Sequence, residues 1–131
     1  MLDQFAYTAL VSALALFVYI WVILKVGGAR AKYGVKAPAM DGPPEFLRVF
    51  RVQQNTTEQL VLFLPSLWLF AFAWGDLGAG VIGLVWPIGR VIYALGYYKA
   101  PEKRSAGFGL SFLPSAILLI GGTVGAVMTL F

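Results

Sequence analysis

The stretch Glu45-Phe46-Leu47-Arg48-Val49-Phe50-Arg51-Val52-Gln53-Gln54-Asn55-Thr56-Thr57-Glu58-Gln59 runs without a break into the apolar segment Leu60 to Trp74. Pro43 and Pro44 stand just ahead of it, and a proline suits the first position of a helix. The pattern predicts one helix with a polar first half and an apolar second half. At about 100° per residue, Arg48, Arg51, Asn55, Glu58 and Gln59 fall within about 100° of arc, and Gln53 points elsewhere. The polar groups form one face. A charged group at membrane depth costs about 3 kcal/mol even on lenient scales, so it normally faces a partner or a wet cavity. Three readings stay open from these residues alone: the half-helix protrudes into water, Arg51 pairs with Glu58 inside a bundle, or the face lines a pocket.

Outward from this helix, the rest of the chain is membrane-like. Of 131 residues 60% are hydrophobic and 12% charged, against about 25% charged in a typical soluble domain. A crossing needs about 20 mostly apolar residues, which leaves room for four helices and little else. The expected spans are roughly 5–30, 45–74, 78–99 and 105–130, an all-α integral membrane four-helix bundle forming a single domain over 1–131. The apolar part of the first span is expected to end near Val26, before Gly27-Gly28-Ala29-Arg30. Pro65 predicts a kink that a membrane bundle tolerates. Trp74, Trp86, Tyr97 and Tyr98 are expected as interface anchors. The opening Met1-Leu2-Asp3-Gln4 lacks a basic n-region, so a cleaved signal peptide is not expected.

Composition also excludes chemistry. With no Cys and no His, disulfides, thiolate metal sites, Cys nucleophiles and the usual general base are absent, and no metal site is expected. Lys25, Arg30, Lys32, Lys36, Arg48, Arg51, Lys99, Lys103 and Arg104 gather on one side of a four-span chain, while the other side offers Asp3 and Asp76. The positive-inside rule then puts both termini outside and the charged loops in the cytoplasm. Topology alone accounts for Lys32, Lys36, Lys99 and Lys103, and nothing supports nucleic-acid binding.

On the third span Arg90, Tyr93 and Tyr97 lie within about 60° of one another. Arg90 sits deep in an apolar run, and an ion pair with Glu58 is the expected arrangement, at the base of a polar pocket. Tyr93 and Tyr97 read equally as interface aromatics or as ligand contacts. Arginine forks take carboxylates bidentately, and Glu58 suits an ammonium group. A small zwitterionic or anionic molecule fits such a set, next to the bilayer and its lipophilic solutes.

The run Pro43-Pro44-Glu45-Phe46-Leu47-Arg48-Val49-Phe50-Arg51-Val52-Gln53-Gln54-Asn55-Thr56-Thr57-Glu58, then Leu62-Phe63-Leu64-Pro65-Ser66-Leu67-Trp68, resembles the membrane-associated proteins in eicosanoid and glutathione metabolism, the MAPEG family. It is most similar to the leukotriene C4 synthase and microsomal glutathione transferase branch. Gly83-Leu84-Val85-Trp86, Arg90, Tyr93, Gly96, Tyr97 and Arg104 extend the resemblance over nearly the whole chain. The resemblance implies a homotrimer binding glutathione between subunits near the cytoplasmic face. Arg51, Asn55, Glu58, Tyr93 and Tyr97 would hold glutathione from one subunit, and Arg30 and Gln53 from the next. Arg104 would be catalytic, favouring the thiolate of a thiol whose free pKa is about 8.5. Ser105 would support it.

The implied activity is a glutathione transferase, and possible peroxidase, acting on a lipophilic electrophile. The alternative is a non-enzymatic lipid-binding or scaffold member of the family, against which Arg104 argues. A proton-coupled exporter ranks lower, because its only candidate carboxylate, Glu58, stands among arginines that hold it ionised. Two departures bear on substrate placement: Ala31 stands where leukotriene C4 synthase has a second arginine, and Gln59 where that branch has tyrosine. Eicosanoid synthesis is therefore not transferred. The short, non-basic C-terminus resembles a bacterial inner-membrane member rather than one of the endoplasmic reticulum.

Overall fold

The computed structural model describes residues 1–131. It contains four long helices: α1 (Ala6–Tyr33), α2 (Pro44–Trp74), α3 (Asp76–Lys99) and α4 (Ser105–Leu130). There are no strands. All four are long and apolar enough to cross a membrane, and Leu10, Phe17, Ile88, Ile117 and Ile120 are among the large apolar side chains left exposed on the bundle. A bilayer is the solvent such a surface requires.

Local chemistry explains the boundaries. α1 continues through Gly27 and Gly28 and stops at Gly34, whose φ of 67° is left-handed and whose N–H donates to the Arg30 carbonyl. Gly34 has the freedom that this cap needs. Pro44 occupies the first turn of α2 behind an extended Pro43, and Glu45 follows it there, favourably placed at the positive end of the helix. α2 runs unbroken through Pro65. The Ser66 hydroxyl donates to the Leu62 carbonyl beside that proline at 2.6 Å.

At the end without basic side chains, Gly75 (φ 101°) turns α2 into α3. Asp76 then accepts from the backbone N–H groups of Tyr7 and Thr8, at 3.0 and 2.7 Å, and from the Thr8 hydroxyl at 2.8 Å. These are first-turn amides of α1 that have no partner within their own helix, so one carboxylate caps α1 and ties it to α3. At the other end, Ala100 is extended ahead of Pro101, and a 3-10 turn, Pro101–Arg104, delivers the chain to α4.

α2 and α3 form the central pair. α1 packs on both, and α4 packs on both elsewhere around the pair. The core is apolar: Phe63 and Trp86 stack with ring centroids 4.6 Å apart, between Leu60, Leu67 and Leu118. Trp86 is fully buried, so it is a core residue and not the interface anchor expected from sequence. Trp74 is half exposed and donates to the Gly121 carbonyl.

The α3–α4 contact positions the site. A Cβ at Gly107 would collide with the backbone of Tyr93, and one at Gly96 with the Lys103 carbonyl. Small residues let membrane helices approach backbone to backbone. Here they bring the start of α4, with Arg104, against the tyrosines of α3.

Candidate functional site

Arg51, Gln54, Asn55 and Glu58 of α2, Tyr93 and Tyr97 of α3, and Arg104 line one cavity of about 280 Å³ at the charged end of the bundle. The core-facing side of α2 carries the buried Val52, Thr56 and Phe63, and the lining residues are centred about 130° around the helix from it, within about 100° of arc. Six of the residues expected from sequence, Arg51, Asn55, Glu58, Tyr93, Tyr97 and Arg104, therefore share one cavity. Gln54 joins them and was not among the candidates. Arg48 and Gln59 leave the stripe: Arg48 donates to the Tyr98 carbonyl at 3.3 Å, and Gln59 is half-buried with its side-chain oxygen lacking a partner.

Arg90 forms the base of the site, but without the expected ion pair. It is 1% exposed. Its Nη1 donates to Ser111 at 3.1 Å, and its Nη2 donates to the Asn55 side-chain oxygen at 3.1 Å and to the Thr56 hydroxyl at 3.0 Å. Its guanidinium lies 3.9 Å from the centroid of the Tyr93 ring, and Nε is left unsatisfied. Three neutral acceptors and a ring face take the place of a carboxylate. Glu58 does not reach Arg90, because it points away from the core while Asn55 and Thr56 occupy the approach.

Glu58 and Arg51 have no ion-pair partner within the chain, whose one salt bridge joins the Met1 amino group to Asp3. Arg51 and Glu58 do not pair with each other. Arg104 donates to the Pro101 carbonyl at 3.2 Å, and its guanidinium lies 5.7 Å from the Tyr97 ring. Tyr97 in turn meets Tyr93 edge-on at 5.6 Å. Around the cavity the cations Arg51, Arg90 and Arg104 outnumber the anion Glu58, so the field favours an anionic ligand that also carries an ammonium group.

The two remaining candidates lie elsewhere in their own chain. Arg30 donates to the carbonyls of Ala39 and Val35, at 2.7 and 3.4 Å, and stacks on Phe46 at 5.4 Å, pinning the α1–α2 loop. Gln53 donates to Thr57 at 3.2 Å, and the Thr57 hydroxyl lies 2.8 Å from that of Tyr19 on α1. Ser105 begins α4 and does not line the cavity.

Fold and site together define an integral membrane bundle with a cationic, tyrosine-lined cavity near one end. The chain belongs to the MAPEG family, whose model matches residues 8–124. It is 48% identical to an uncharacterized protein of Synechocystis, sll1147, over 97% of this chain and 93% of that protein. Human microsomal glutathione S-transferase 2 is 42% identical over 89% of this chain and 80% of its own length. Leukotriene C4 synthase of Cavia porcellus is 34% identical over 95% and 83%.

Proposed function

We propose that the protein is a membrane-bound glutathione transferase, with peroxidase activity as a second outlet, joining the glutathione thiolate to a lipophilic electrophile. One observation carries this reading: Arg51, Glu58 and Arg104, none paired with an opposite charge, surround one cavity with two tyrosines. Glutathione matches that set. Its carboxylates suit Arg51 and the field of Arg90, its ammonium group suits Glu58, and its thiol would lie by Arg104. There a fixed cation lowers the thiol pKa and raises the fraction of nucleophile. Attack forms the S–C bond as the electrophile's leaving group departs. Tyr93, Tyr97 and Asn55 supply neutral hydrogen bonds that fix the peptide's orientation.

The chain works, on this reading, as a homotrimer of single four-helix domains with glutathione between subunits. A volume of about 280 Å³ is at the low end for a small-molecule site. A neighbour's Arg30 and Gln53, both outside this cavity, would complete it. Nine basic residues lie at the end that holds the cavity, so the positive-inside rule places that end in the cytoplasm, and the similarity to the cyanobacterial protein suits a bacterial inner membrane.

The test is conjugation of glutathione to a generic aromatic electrophile by the detergent-purified protein, with Arg104→Ala and Arg51→Ala beside it. Turnover that falls in both variants is expected. Wild type showing neither turnover nor glutathione binding sinks the enzyme reading, and binding without turnover points to a scaffold. A monomeric mass in detergent removes the role given to Arg30 and Gln53.

A further inference from the structure

The charged end of the bundle holds a second hollow, larger than the tyrosine-lined cavity. A groove of about 570 Å³ opens between the end of α1, the start of α2 and Tyr98 of α3. It shares no residue with the glutathione cavity. Lys25, Lys32 and Arg48 line it, opposed by Glu45 alone, so its charge is net positive. Tyr98 also lines it, with its hydroxyl buried and without a hydrogen-bond partner.

The groove continues toward the middle of the bundle. Trp21 forms part of its wall and also part of a second hollow of about 370 Å³ between α1 and α3, lined by Phe17, Val18, Leu84 and Ile88 among others. That hollow in turn shares Leu14 and Leu84 with a third, of about 280 Å³, which reaches Tyr7 and Leu77. The sequence of surfaces is cationic at the charged end of the helices and apolar below it, along one furrow. A soluble anion would use the first part only.

We propose that this furrow binds an anionic phospholipid, with its phosphate between Lys25, Lys32 and Arg48 and its acyl chains along the α1–α3 hollows. Basic pockets between membrane helices at the headgroup level suit such lipids, and lysine stems lie along apolar walls while their ammonium groups reach the phosphate. Lys25 already lies over Trp21, 5.9 Å from the ring centroid. Arg30, assigned above to a subunit contact, lies about 160° around α1 from Lys32, so trimer assembly leaves the furrow facing lipid.

Gly28 provides a clean test, because a Cβ there meets nothing within 4 Å and the residue lines the groove. Gly28→Trp fills the headgroup space from a solvent-facing position of α1 and replaces a poor helix former. Native mass spectrometry of the full protein, released from micelles containing equal phosphatidylglycerol and phosphatidylcholine, reads the outcome. Wild type should retain phosphatidylglycerol selectively. Lys25→Gln/Lys32→Gln/Arg48→Gln should lose that preference by about a hundredfold. Gly28→Trp should lose the bound lipid while keeping wild-type oligomeric mass and conjugating activity in detergent, which separates this proposal from the glutathione reading. Equal retention of the two lipids overturns the proposal, as does undiminished phosphatidylglycerol binding in Gly28→Trp. Displacement of the lipid by equimolar glycerol phosphate also overturns it, in favour of a soluble phosphate ligand.

Discussion

Arg90 Nη2 donates to the side-chain oxygen of Asn55 at 3.1 Å, so a buried cation on α3 fixes the orientation of a cavity amide on α2. The other side chains that Arg90 meets do not depend on it in the same way. Thr56 also donates to the Val52 carbonyl, and Ser111 to the Gly107 carbonyl. Removing an unpaired buried charge also removes its desolvation cost, and no opposite charge is left stranded. Arg90→Met is therefore expected to fold, while Asn55 loses its fixed rotamer. The KM for glutathione should rise about tenfold, the equivalent of one charge-assisted hydrogen bond of about 1.5 kcal/mol. Steady-state kinetics at varied glutathione checks this, and an unchanged KM in a folded variant would remove Arg90 from the positioning role.

Arg104 should reveal itself in the pH profile. A cation beside the thiol lowers its pKa below the free value of about 8.5, so removing the cation returns the pKa toward that value. Arg104→Ala should lose most activity below pH ~7, and the deficit should shrink as pH passes ~8.5, where the thiol ionises unaided. The ratio of wild-type to variant kcat/KM, measured across that range, tests the assignment. A ratio independent of pH would show that Arg104 only anchors the peptide.

Subunit sharing makes its own prediction. Gln53→Leu and Arg104→Ala chains are each expected to be impaired. Coexpressed, they should form mixed trimers in which Arg104 of one chain faces Gln53 of another, and activity should exceed the mean of the two homotrimers. Were both residues to serve one chain's own site, no intact site could form and mixing would give no gain.

Gly107 holds α4 against α3 where a Cβ would meet the Tyr93 backbone. Gly107→Val should force the helices apart at a cost of about 1–3 kcal/mol, visible as a lower thermal midpoint in detergent. The same shift moves Arg104 away from Tyr97, so kcat should fall by more than in a variant of equal stability loss at the other end, such as Asp76→Asn.

The helices were readable because membrane spans announce themselves by apolar length, and Pro44, Gly75 and Pro101 punctuate them. Gly27-Gly28 misleads as a stop signal. In a bilayer the backbone must satisfy its own hydrogen bonds, so α1 runs on through both glycines to Gly34. The site was legible in part for the same physical reason. Arg51, Asn55 and Glu58 repeat at helical spacing, and Tyr93 and Tyr97 do so on α3.

What a wheel lacks is the direction of the core. Taken by itself, it centres the stripe near Asn55 and admits Arg48 and Gln59. Burial of Val52, Thr56 and Phe63 rotates the open face toward Gln54 and hands Arg48 to a different groove. Arg90 carried no sequence signal for its partners, because hydroxyl and amide acceptors on α2 and α4 are not distinguishable from ordinary helix residues until the helices pack. Lys32 likewise reads as a topology marker until the groove assembles around it.

The stack of Phe63 on Trp86, closed in by Leu67 and Leu118, lies just beneath the layer of Arg90. A charged cavity open at one end of a membrane bundle is half of a leak. In a membrane that stores energy as an ion gradient, even slow proton passage through such cavities would dissipate it. The stacked rings fill the bundle below the arginine, so the chain can hold a wet, cationic cavity in a membrane and still insulate it.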